Sequence, residues 1–236
     1  MAAIPPIAYV SAASKVLVLT AGLRYGRRLP PARRWIFAWA LIGLLIDGAM
    51  LVYALRKQNN HWMSYVAAPV EVSTLLFALS CWHLDRGRQI LRTLAVAFVA
   101  TVVVLVVFVE SLTTFSLVRG PIESILIVAA SLATLLLLLR DEQGNLFQRD
   151  WFWICAGLSL RYGALATLGP LGRMLIGESP DLVISMLKVR AVVNIVSNVV
   201  IARGVWCPLL PLRSSGPTSP VSSPSLSSSP PSARGW

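Results

Sequence analysis

Eight ionisable side chains interrupt stretches that are otherwise apolar: Lys15, Asp47, Glu71, Glu110, Glu123, Arg161, Lys188 and Arg190. Four are acidic and four basic. An ionised group near the centre of a bilayer costs roughly 2.5 to 3.5 kcal/mol on insertion scales, so it requires a partner, water or a function. At a rise of about 1.5 Å per residue, Asp47 and Glu71 fall about 12 to 14 Å from the nearer end of their helices, too deep for a carboxylate to reach the interface. Glu110 and Glu123 lie within about a turn of a helix end, where water is close. The chemistry open to such a set is ion pairing, the holding of an anion by arginine, or the carriage of a proton or cation by a carboxylate.

Spacing adds a second signal. Arg190, Asn194 and Asn198 recur every four residues with Ser197 beside them, which places a polar stripe on one face of the last helix. Ser64, Ala67, Ala68, Glu71, Thr74 and Ala78 form a small or polar face on an earlier helix, suited to close packing. Gly43, Asp47 and Ala54 share one side of another. The expectation is that Asp47 and Glu71 meet Arg161 and Arg190 in a polar cluster, with Lys15, Glu110 and Glu123 as secondary members.

The elements that position these groups are seven apolar stretches, near 7–23, 35–55, 62–82, 93–112, 120–139, 151–168 and 183–205. They predict an all-α, polytopic transmembrane bundle over residues 1–207. Apolar residues make up 56% of the chain and charged residues 13%, about half the charged share of a soluble domain. Trp35, Trp39, Trp62, Trp82, Trp151, Trp153 and Trp206 fall near the ends of these stretches, as expected of an interfacial belt. The start of the chain lacks the basic region of a signal peptide, and its first stretch is read as a retained helix.

The net charge of +11 has a topological origin in this reading. Arg24, Arg27, Arg28, Arg33, Arg34, Arg86, Arg88, Arg92, Arg140 and Arg149 fall on one side of the seven spans, against Arg56, Lys57, Arg119 and Arg173 on the other. By the positive-inside rule the first set is cytoplasmic, the N-terminus is outside and the C-terminus is inside. Residues 208–236, rich in Ser and Pro, predict a disordered cytoplasmic tail. Localisation follows as a multi-pass cell-membrane protein, in the inner membrane if the cell has two.

Several other chemistries are excluded. No nucleic-acid recognition motif accompanies the basic charge. Cys81, Cys155 and Cys207 show neither paired nor metal-ligand spacing, and His61 and His83 lie near opposite faces, so no metal site is expected. Lys188 invites comparison with seven-span retinal proteins. It sits only about a turn and a half into its helix and lacks a counter-ion pattern, so a snorkelling lysine explains it. No hydrolase, metalloprotease, P-loop or dinucleotide motif is present, no cofactor is implied, and the enzyme reading is disfavoured.

Two segments, AAPVE at 67–71 and RGPIE at 119–123, each place Pro-x-Glu on an inward-running helix, and SPD at 179–181 opens a third. They suggest loosely repeated hairpins, a device of transporter folds. The stretch NNHWMSYVAAPVE at 59–71, with PIE at 121–123, resembles a set of uncharacterised bacterial seven-helix membrane proteins. That resemblance implies a shared bundle and carries no activity. The functional expectation is an integral membrane protein that binds or moves a small polar solute. The alternative is a non-catalytic membrane subunit whose charges are structural and whose loops or tail dock a protein partner.

Overall fold

The computed structural model describes residues 6–56, 58–108, 118–141, 145–175 and 180–208; Glu110 and the segment 209–236 lie outside them. The helices are α1 (Pro6–Ala13), α2 (Lys15–Leu23), α3 (Pro31–Leu55), α4 (His61–Ser80), α5 (Asp85–Phe108), α6 (Arg119–Asp141), α7 (Asp150–Leu175) and α8 (Pro180–Trp206). No strand occurs among the described residues. Proline starts α3 at a position where its missing N–H has no helical partner to lose.

Packing follows from which face of each helix is small or polar. Helices α2, α3, α4, α6, α7 and α8 each touch the next, and α8 returns to α2, so the six enclose a common interior. Helix α5 lies outside this ring, mainly against α4. Its buried residues Leu91, Ala95, Phe98, Val102 and Leu105 form one stripe at intervals of three and four, and its other faces are apolar and exposed.

The closest contact in the ring, between α7 and α8, depends on glycine. A Cβ added at Gly157 would stand 2.5 Å from Ile201 Cγ1 and 3.0 Å from the Ser197 carbonyl oxygen. One added at Gly204 would stand 2.7 Å from Ile154 Cγ1 and 3.0 Å from the Asp150 carbonyl oxygen. Backbone is met in both cases, so any side chain would force the helices apart.

The exterior is what lipid would solvate. Leu45, Val96 and Leu136 are 61 to 68% exposed, among many large apolar side chains on the outer surface. Among the described residues, five helices are long and apolar enough to cross a bilayer: α3, residues 62–80 of α4, α5, residues 119–140 of α6 and residues 184–206 of α8. Helix α7 has the length, at 26 residues, but Arg161, Tyr162 and several glycines dilute its apolar character.

The structure departs from the sequence reading in two places. The first apolar stretch is divided at Ser14, whose hydroxyl donates to the Ser11 carbonyl at 2.6 Å and competes with helix continuation. Only residues 9–23 of it form an apolar helical run. The tryptophan belt is also incomplete, because Trp39 and Trp151 are buried, at 0 and 7% exposure. Trp39 turns inward to meet two cations, Lys15 and Arg161.

Candidate functional site

A polar cavity of about 500 Å3 opens among α3, α4, α6, α7 and α8. It lies toward the end of the bundle where α3 and α7 finish and α4, α6 and α8 begin, as its lining residues Asn60, Arg119 and Pro170 show. Asp47 and Met50 come from α3, Ser64, Ala67, Ala68 and Glu71 from α4, Glu123 and Ser124 from α6, Arg161 and Tyr162 from α7, and Arg190 from α8. The small residues of α4 leave the space that these longer groups enter.

Lys15 organises the acidic side. Its side chain is 2% exposed, and its Nζ lies 2.9 Å from Asp47 Oδ2 and 3.9 Å from Glu71 Oε1. Gly43 on α3 makes this reach possible, because a Cβ there would collide with the Lys15 ammonium. The backbone beside Lys15 is fixed from α8, where Asn198 Nδ2 donates to Ser14 Oγ at 2.7 Å in a buried setting. Asn198 therefore positions α2 and does not line the cavity, whereas Asn194 faces a neighbouring groove.

The basic side has no direct ion pair, although Glu123 shares its cavity. Asp47, Glu71, Arg161 and Arg190 all line the one cavity, yet among the described residues neither arginine has a carboxylate at ion-pair distance. Arg161 is 8% exposed, and its Nε has no hydrogen-bond partner among the described residues. Aromatic faces hold it instead, with its guanidinium carbon 5.3 Å from the Trp39 ring centre and 5.9 Å from that of Tyr162. Lys15 Nζ lies 6.0 Å from the same Trp39 ring, so the buried indole is shared by two cations.

Arg119 completes the rim. It donates to the Ser64 carbonyl on α4 and lies 5.1 Å over the Tyr65 ring. Pro69, inside α4, lacks the N–H that would reach the Tyr65 carbonyl, which loosens the helix near this contact. Among the described residues, Lys15, Arg119, Arg161 and Arg190 gather here with the carboxylates of Asp47, Glu71 and Glu123.

The opposite end of the bundle is closed by a clamp absent from the sequence reading. Arg33, 3% exposed, donates through Nε to Asp150 Oδ2 at 2.8 Å and through Nη1 to the Val205 and Cys207 carbonyls at 3.2 and 2.7 Å. Tyr25 donates to the Trp206 carbonyl at 2.9 Å, and Arg24 lies 4.9 Å over the Trp206 ring. Arg33 and the Tyr25 hydroxyl thus satisfy carbonyls left free at the end of α8. No sequence signal pairs Arg33 with Asp150, which stand 117 residues apart.

Lys188 and His83 do not line the cavity. Lys188 is exposed on α8, and His83, in the turn after α4, shares a 2.8 Å hydrogen bond between its Nε2 and Thr134 Oγ1. Partial burial lowers the His83 pKa. The cysteines Cys81, Cys155 and Cys207 are free, and the described residues contain no group of His, Cys, Asp and Glu able to hold a metal ion. No protein-family model matches the chain, and no curated protein or solved structure is significantly similar to it.

Proposed function

We propose that this chain is an integral membrane protein that binds, and in a transport cycle would move, a small anionic solute at Arg161 and Arg190. The observation that carries the reading is the division of charge: Lys15 occupies Asp47 and Glu71, leaving two arginines facing about 500 Å3 of space. A guanidinium suits a planar carboxylate or a phosphate through paired donors. Its burial beside Trp39 and Tyr162 strengthens that interaction by excluding water.

In this proposal α1 with α2 forms one crossing and α7 another, giving seven, with Arg161 tolerated because it faces the interior. The N-terminus is outside and the C-terminus cytoplasmic in a cell membrane, so the cavity opens outward and the Arg33–Asp150 clamp closes the inner end. Transport would require that clamp to open. The rival reading, a membrane subunit whose charges only fix helix register, draws support from the self-contained Lys15–Asp47 pair. It offers no role for the space or the two arginines.

A thermal-shift screen of the purified protein against inorganic ions, amino acids, organic acids and sugars, at pH 5.5 and 7.5, tests the proposal. A solute at a hundred times its Kd stabilises by about 2.7 kcal/mol. The expected hits are anions, lost in Arg161→Gln. Absence of any hit, with Arg161→Gln merely less stable, favours the structural reading and directs the search to protein partners.

A further inference from the structure

A second cavity, of about 710 Å3, lies between α1, α3 and α8 and is walled chiefly by apolar side chains such as Ile7, Leu44, Leu51, Ile184 and Leu187. It meets the polar cavity at Asp47, Met50 and Arg190, which line both. Building on the anion-binding reading, we infer that the two form one bipartite site for a single-chain anionic amphiphile, its carboxylate at Arg190 and Arg161 and its alkyl chain in the groove.

Three observations select that occupant. The groove carries at its junction a guanidinium with no carboxylate at ion-pair distance, while Asp47 beside it is taken by Lys15. A neutral or cationic headgroup would offer that guanidinium no direct charged acceptor, whereas a carboxylate would. The groove's volume falls in the range of sites for one small ligand, about 300 to 1,000 Å3. Helix α1 packs mainly on α8 and only lightly on α3, so the groove is open between α1 and α3, on the apolar exterior where an alkyl chain would enter sideways.

Gly48 lines the groove but not the polar cavity, and a Cβ there would meet nothing within 4 Å. Gly48→Phe should therefore occupy the chain site while sparing the head site. Ala54→Phe, on the same wall and exposed, is the second variant should the first misfold.

The experiment measures binding of acetate, octanoate, dodecanoate and dodecanol to the full chain held in amphipol without free detergent, each below its micelle concentration. Burial of a methylene is worth about fourfold in affinity, from ~0.8 kcal/mol per CH2 at 1.4 kcal/mol per tenfold. The expected results are a rise of about two-hundredfold from octanoate to dodecanoate in the native protein, a much smaller rise in Gly48→Phe or Ala54→Phe, and loss of the preference for dodecanoate over dodecanol in Arg190→Gln. An equal rise in native and groove variants, or equal binding of acid and alcohol, overturns the inference. If acetate still binds in that case, the small-anion reading stands alone. If dodecanoate binds as expected and acetate or phosphate never does, the bipartite site holds and the reading of a small water-borne solute falls.

Discussion

Lys15→Met removes the one cation among the described residues that lies at ion-pair distance from Asp47 and Glu71, and the geometry sets the cost. Breaking a buried ion pair by deleting one partner costs about 3 to 5 kcal/mol, because the other charge is stranded. Lys15 is 2% exposed and Glu71 14%, but Asp47 retains 32%, so water relieves part of the stranded charge and the loss should be near the lower end, about 3 kcal/mol. Asp47→Asn in the same background removes the stranded charge and should restore about 2 kcal/mol, a coupling within the range found for contacting residues. Equilibrium unfolding in mixed micelles with increasing SDS, on the native protein, both single variants and the double, measures it. A coupling below about 0.5 kcal/mol would refute the assignment of Lys15 as the partner of Asp47. The same substitution has a functional signature, since carboxylates released from Lys15 can turn to Arg161 and Arg190 and should weaken anion binding.

Three further outcomes follow from the packing and the closed end. Gly157→Ala should destabilise by about 1 to 3 kcal/mol because its methyl meets the Ser197 backbone, whereas Gly48→Ala, facing open space, should be neutral or stabilising by up to about 1 kcal/mol; SDS unfolding of both decides. Arg33→Gln should cost about 2 to 4 kcal/mol by stranding Asp150 and the α8 carbonyls, and should raise proteolysis near Cys207. His83 is held below its ordinary pKa by burial, so above about 6.5 its contribution to stability is complete, and as pH falls past 6.5 toward the lower folded value the unfolded chain binds more protons and stability declines. His83→Gln, which keeps a hydrogen-bonding group for Thr134, should flatten that part of the pH profile.

Much of the interior was legible because lipid makes the rules strict. A charge deep in an apolar run must turn inward, so Asp47, Glu71, Arg161 and Arg190 could be grouped once the apolar spans were marked, and all four line one cavity. Their pairing was not legible. Lys15 is only a secondary member of the cluster in the sequence, but the fold places it beside Asp47, since only the crossing of α2 over Gly43 determines the reach of its long side chain. Arg33 and Asp150 look like loop charges because their contact joins helix ends far apart in sequence. Trp39 has the composition of an interfacial anchor, and only the positions of Lys15 and Arg161 show that its ring is an interior surface for cations.

The central claim, that the bundle keeps two arginines ready for an anion, is tested most directly by thermal unfolding of the native protein and of Arg161→Gln in sodium succinate, sodium phosphate, sodium chloride and tetramethylammonium chloride at equal ionic strength. The account predicts that succinate or phosphate raises Tm well above the chloride reference in the native protein alone. Equal responses to all four salts, or protection that persists in Arg161→Gln, would contradict it.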